Sequence, residues 1–260
     1  MKRLVTAEMQ VLWRRPTGRM AAAVGTGLPV LVALLYGSFQ DSAVQFNGQA
    51  IGDMLSFSGP DAASRGLFAR HFYVMPLFLV ALAGQSIAGE RADHTLRERA
   101  VRPVSRDRLF LSKLLSLWLF STLSLFAGSA LALLLTTPWL GVDGPWLEFL
   151  ASVALSVLTE LGVIAMAVML ATWVRSSTMV VISGLLILGL DSVFRLGLSG
   201  LGLLEVAWAP IVHQLMWGSG LGIWANVGSG WSWVSVAALI GWTGIALLHG
   251  RQRFNGLDLP

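Results

Sequence analysis

The chain has 260 residues, of which 55% are hydrophobic and only 12% charged. Soluble domains carry about twice that charged fraction, so an ordinary soluble domain is excluded and an integral membrane protein is indicated. With no cysteine, disulfides, thiolate metal sites, haem attachment through Cys-x-x-Cys-His and cysteine nucleophiles are excluded together. The net charge of +4 comes from cations beside apolar runs, a membrane-flanking pattern rather than a nucleic-acid-binding one.

Residues 1–19 carry Lys2, Arg3, Arg14, Arg15 and Arg19, with Leu4, Val5, Met9, Val11, Leu12 and Trp13 at roughly helical spacing. This predicts an amphipathic helix in the membrane interface, its cations toward anionic lipid headgroups. Pro16 ends it and turns the chain into the first span. No cleavable signal peptide is expected, because the first apolar run is long enough to span.

Residues 20–39 contain no charge and match the length of a bilayer core; Pro29 predicts a kink there. A polar stretch, residues 40–65, reads as a loop with room for a short helix. The second span, residues 72–88, is entered through Arg70 and His71. Residues 109–137 form the third, introduced by Ser105 as N-cap with Asp107 in the first turn and stopped by Pro138. The fourth span is residues 149–174, interrupted by Glu160. The fifth, residues 178–200, carries Asp191 and Arg195. Residues 201–230 are apolar but broken by Pro210 and many glycines, which suits short re-entrant or interfacial helices packed on protein. Residues 231–249 make the sixth span, followed by Arg251, Arg253 and a short polar tail. The expected fold is an all-α membrane protein of six transmembrane helices in one domain over residues 1–260.

If the N-terminus is cytoplasmic, all of the 18 Lys and Arg residues except Arg65, Arg70 and Arg195 fall on the cytoplasmic side, as the positive-inside rule prefers. Both termini are then cytoplasmic. So is the segment between spans two and three, where half of the residues 89–108 are charged. Within it Ala88, Ala92, Leu96 and Ala100 recur every four residues. That spacing predicts a surface helix of about three turns with one narrow apolar face, ended by Pro103. Such a helix suits insertion into a cleft of a soluble partner; the simpler reading is a solvated loop that only fixes topology.

The residues Gly89-Glu90-Arg91, Thr95-Leu96, Arg102-Pro103-Val104-Ser105-Arg106 and Lys113 resemble the first cytoplasmic loop of ABC-2-type transporter permeases, including those similar to the nitrous-oxide-reductase-maturation and drug- or peptide-export types. That family usually shows Gly-Glu, Gly-Thr-Leu, Pro-(Val/Leu)-Ser-Arg and Gly-Lys steps. Here His94 stands where Gly precedes Thr95, and Ser112 where Gly precedes Lys113. The layout of the whole chain is similar too.

The resemblance implies a permease of the inner (plasma) membrane that pairs with a second copy or a similar permease. Each copy would bind a separate cytosolic ABC ATPase subunit, which holds the ATP and Mg. The N-terminal helix would be the elbow, and residues around Glu90, Arg91, Thr95, Leu96, Arg97, Arg99, Val101 and Pro103 a coupling helix that docks the ATPase. The resemblance favours export. The chain's two lysines, Lys2 and Lys113, fit no Gly-x-x-x-x-Gly-Lys phosphate loop, so this subunit is expected to be non-catalytic and to bind no cofactor itself.

Ionisable residues inside spans are functional candidates. Asp191 and Arg195, spaced i,i+4, read as a local ion pair or as lining of a transport path. Glu160 has no neighbour in sequence and could meet Arg195, Arg70 or His71 across helices. Gln85 reads as a hydrogen-bonding partner of a neighbouring helix. Three other functions compete with an ATP-driven permease: an ion-coupled secondary transporter using Asp191 and Glu160, an intramembrane serine protease pairing Ser199 or Ser219 with His213 or His249, and a structural membrane subunit of a larger assembly. His213 and His249 are too isolated to suggest a metal site.

Overall fold

Pro16 sets the first corner. A computed structural model of the chain describes residues 1–39, 45–46, 49–50, 58–71, 74–96, 104–200, 209–216 and 233–257. Helix α1 (Lys2–Arg14) ends one residue before Arg15, which is extended, and α2 (Pro16–Gly37) begins with Pro16 at its first position. A proline there loses nothing, since its missing N–H has no intrahelical acceptor. The turn is tight: a Cβ on Gly18 would lie 1.9 Å from the Leu12 carbonyl oxygen, so only glycine lets the two helices meet this way. The α1 stripe facing the bundle contains buried Leu12 and, unexpectedly for an apolar face, buried Glu8.

After α2 come two-residue strands β1 (Gln45–Phe46) and β2 (Gln49–Ala50), paired antiparallel. Helix α3 (Gly59–His71) occupies the end of the predicted polar loop, and α4 (Val74–Gly84) continues into a π-helical turn (Gln85–Gly89) and one α-turn, α5 (Glu90–Ala92). The long helices come next: α6 (Arg106–Leu140), α7 (Trp146–Trp173) and α8 (Ser177–Gly200), then the short α9 (Ala209–Leu215) and α10 (Trp233–Asn255).

Among the described residues, five helices are long and apolar enough to cross a membrane: α2, α6, α7, residues Ser177–Phe194 of α8, and α10. A sixth crossing is available if Gly59–His71 and Val74–Ala92, bent by 46°, act as one broken span. The chain is therefore an α-helical, multi-pass membrane protein in its architecture.

Several boundaries differ from the sequence reading. Pro138 does not stop the third span; it lies inside α6, which ends at Gly141 with φ 86°, where a positive φ suits glycine. At 35 residues, α6 is about 50 Å long and outreaches a hydrocarbon core. The sixth span also runs further than the predicted residue 249. Helix α10 continues through Arg251 and Arg253, and Phe254 and Leu257 are buried. Of residues 201–230, only α9 and Met216 lie among the described residues.

The three-turn helix expected from the Ala88–Ala92–Leu96–Ala100 spacing is not continuous. It breaks after Ala92, where His94 has a φ of 59°; Thr95 and Leu96 are helical again, and the remainder of the predicted helix, through Ala100 to Pro103, lies outside the described residues. The period of four carries no information about this break, because a left-handed residue reverses the chain whatever the apolar spacing around it.

Without a hydrophobic drive between helices in lipid, close approach depends on small residues. At the α2–α3 crossing, a Cβ on Gly66 would sit 2.3 Å from the Pro29 carbonyl oxygen. One buried cluster includes Leu12, Leu79, Ile87, Leu96, Phe110, Phe120, Ile164 and Phe254. A second, with Ala33, Leu67, Leu125, Leu140 and Phe149, packs α2, α3, α6 and α7.

Candidate functional site

Among the described residues, two ion clusters lie inside the bundle. The first gathers on Arg70, near the end of α3. Its side chain is fully buried, and Glu160 of α7 is 1% exposed. Arg70 Nε and Nη2 donate to Glu160 Oε1 at 2.9 and 2.7 Å. Nη2 also donates to the Ser121 carbonyl at 3.0 Å and to Ser124 Oγ at 3.0 Å, while Nη1 donates to the Gly25 carbonyl. Ser121 Oγ donates to the other carboxylate oxygen, Oε2, at 2.5 Å. One guanidinium thus joins α2, α3, α6 and α7.

Of the three partners open to Glu160, the structure selects Arg70. Arg70 is not an interfacial cation at the mouth of a span but the centre of the bundle. Arginine serves here because its fork of donors can satisfy several acceptors at once. A charge buried this deeply persists only when paired and hydrogen-bonded.

The second cluster lies where the N-terminus, the charged loop and the start of α6 meet. Lys113 Nζ is fully buried and reaches Glu90 Oε2 at 2.7 Å and Glu8 Oε2 at 3.4 Å. Glu90 Oε1 accepts from Arg15 Nη2 at 3.0 Å. Among the described residues the cluster links α1, the α1–α2 corner, α5 and α6. Beside them Thr17 Oγ1 donates to Gln85 Oε1 at 2.7 Å, as expected of a glutamine near a span's end. The π-turn of residues 85–89 inserts about one extra residue into the helix, which rotates the next turn by about 100°. Glu90 opens that turn.

The C-terminus comes to the same end of the bundle. Asp107, in the first turn of α6, accepts from Arg251 at 2.7 and 3.0 Å and from Asn255 at 2.8 Å. Arg106 Nη1 donates to the carbonyls of Asn255 and Leu257 at 2.7 and 2.9 Å. Ser105 caps α6, its Oγ accepting from the Arg108 amide at 3.4 Å. Both described ends of the chain and the charged loop therefore share one end.

The loop candidates divide. Glu90 and Leu96 are buried, Arg91 is half-buried, and Thr95 is exposed with its hydroxyl donating to the Glu90 carbonyl at 3.2 Å. Ala92, Asp93 and His94 are exposed between them. Arg97, Arg99, Val101 and Pro103 lie outside the described residues. Asp191 is half-buried on α8, one turn before Arg195, whose side chain is also outside the description. Among the described residues no group of three His, Asp or Glu side chains could hold a metal ion.

The sequence reading missed Glu8, Arg15 and Lys113 as one cluster. A signal was present: Glu8 falls on the same helical face as Val5, Met9 and Leu12, and an acid on the buried face of an amphipathic helix requires a cation opposite it. Which of the chain's many cations answers it is a tertiary fact.

Residues 38–227 match the family described as Protein of unknown function (DUF2705), and the chain belongs to that family. No curated protein matches it.

Proposed function

We propose that this member of the DUF2705 family is the membrane permease subunit of an ATP-binding-cassette exporter. A separate cytosolic ATPase would drive it, and two permease copies or two similar permeases would form the translocation unit. The observation that carries the reading is the charged loop. The residues through which it resembles ABC-2-type permeases, Glu90 and Lys113, meet in one ion cluster with Arg15 at the elbow. His94, standing where those permeases have glycine, adopts the positive φ that glycine favours. Ser112, at the second glycine position, is wholly buried with its Oγ on the Leu109 carbonyl, a place for a small side chain.

In this reading Glu90 and Leu96 are internal struts of the loop, and its exposed tip, Ala92 to Thr95, faces the ATPase. A push on that tip reaches the elbow through Arg15 and the third span through Lys113. The positive-inside rule would put this end, with Arg14, Arg19, Arg106, Arg108, Arg251 and Arg253 exposed, in the cytoplasm. An ion-coupled transporter is less well supported, because Glu160 is already charge-matched by Arg70 and hydrogen-bonded by Ser121.

Co-purification tests the proposal. The tagged chain, expressed in its native host and extracted in mild detergent, is expected to retain an ATPase subunit carrying a phosphate-binding loop in stoichiometric amount. Recovery of the chain with no such ATPase contradicts the reading.

A further inference from the structure

Pro29 lies inside α2, and a proline has no amide hydrogen. The rung it leaves unmade is the one that would end on the carbonyl of Gly25, four residues earlier. In the bundle interior an unmade rung is costly, and the orphan oxygen has a partner from another helix: Arg70 Nη1 donates to the Gly25 carbonyl. Gly25 has no side chain to obstruct the approach; a Cβ there would lie 2.6 Å from Arg70 Nη1. Gly66, one turn before Arg70, meets the Pro29 carbonyl, where a Cβ would fall at 2.3 Å. The same two helices therefore touch both sides of the missing rung.

We propose that Arg70 supplies the hydrogen-bond donor that Pro29 removes, so that the broken rung of α2 is closed from the end of α3, beside the 46° bend between Gly59–His71 and Val74–Ala92, and the two form a single joint. The guanidinium sits one residue before the end of α3, next to that bend. Its Nε and Nη2 donate to Glu160, Ser121 and Ser124, which holds it against α6 and α7. Displacing the end of α3 that carries Arg70 would take this donor from the Gly25 carbonyl. The joint is independent of what the protein transports or binds.

A double-mutant cycle on the full-length protein in detergent tests this, with the loss of native tryptophan fluorescence on heating as the readout. Pro29→Ala restores an amide donor to Gly25. Arg70→Lys keeps a charge for Glu160 but cannot serve Gly25 and Ser121 as well. The fall in Tm caused by Arg70→Lys is expected to be smaller with Ala at position 29 than with Pro, by about 2–4 °C, the shift of one net hydrogen bond in a chain of this size. Equal falls in the two backgrounds, or a larger one with Ala, would overturn the proposal. If Arg70→Lys does not yield folded protein, the charge-neutral pair Arg70→Met/Glu160→Met replaces it, since it leaves no unpaired ion. The same smaller fall with Ala is expected, and equal falls again refute the joint.

Discussion

The two ion clusters are built from the same chemistry and differ in how completely they are closed. Around Arg70 and Glu160 both side chains are at most 1% exposed, and their hydrogen bonds run through four helices. Around Lys113 the cation is shared between a short contact to Glu90 and a longer one to Glu8 at 3.4 Å. Arg15 is 23% exposed, and among the described residues its Nη1 has no hydrogen-bond partner. A closed cluster holds spans at fixed places. A partly open one joins a loop to an N-terminal helix with less burial and a longer contact.

The largest effect should come from breaking the closed cluster on one side only. Arg70→Met strands Glu160 in the bundle and is expected to cost about 3–5 kcal/mol, read as a large fall in the thermal midpoint of the detergent-solubilised protein. Restoring neutrality with Glu160→Met should recover much of it. A loss no smaller in the double variant would show that the pair is not the unit described.

In the open cluster the same operation should cost less. Glu90→Gln keeps the shape and removes the charge that both Arg15 and Lys113 use, for a loss of about 1–3 kcal/mol by the same thermal measurement. A fall equal to that of Arg70→Met would erase the distinction between the two regions. Smaller still is the strain at His94, whose φ of 59° costs an L-residue about 1–2 kcal/mol. His94→Gly should leave stability unchanged or raise it by up to about 1 kcal/mol, whereas His94→Val should lower it. Last comes the exposed pair of Asp107 with Arg251, 37% and 52% exposed. Asp107→Asn should barely move the midpoint, since such pairs contribute little and are screened by salt. A clear loss that salt does not affect would mean that the C-terminal end is held more firmly than its exposure indicates.

Much of the architecture is legible in the sequence because a bilayer imposes it. Helices α2, α6, α7, α8 and α10 are marked by the lengths of apolar runs, with ends off by a few residues. What is not legible comes from interactions that only the folded chain makes. Pro138 reads as a stop, yet α6 continues past it because a proline near a helix end forfeits a single rung. The period of four after Ala88 reads as a continuous helix, and a single left-handed residue, His94, interrupts it. Arg70 reads as a cation at a membrane mouth because it lies outside an apolar run; its burial depends on Glu160, 90 residues away. Glu8 is the one legible clue to the second cluster, an acid on an apolar face.

The central claim is that the exposed tip of the charged loop meets an ATPase, while Glu90 and Leu96 behind it are internal. The chain has no cysteine, so a single Asp93→Cys variant carrying a photo-crosslinker can be compared with Val142→Cys, an exposed position just beyond the far end of α6. In membranes containing the complete complex, the account predicts a crosslink from position 93 to a subunit with a phosphate-binding loop and none from position 142. No crosslink to such a subunit from position 93, or equal crosslinking from both positions, would contradict it.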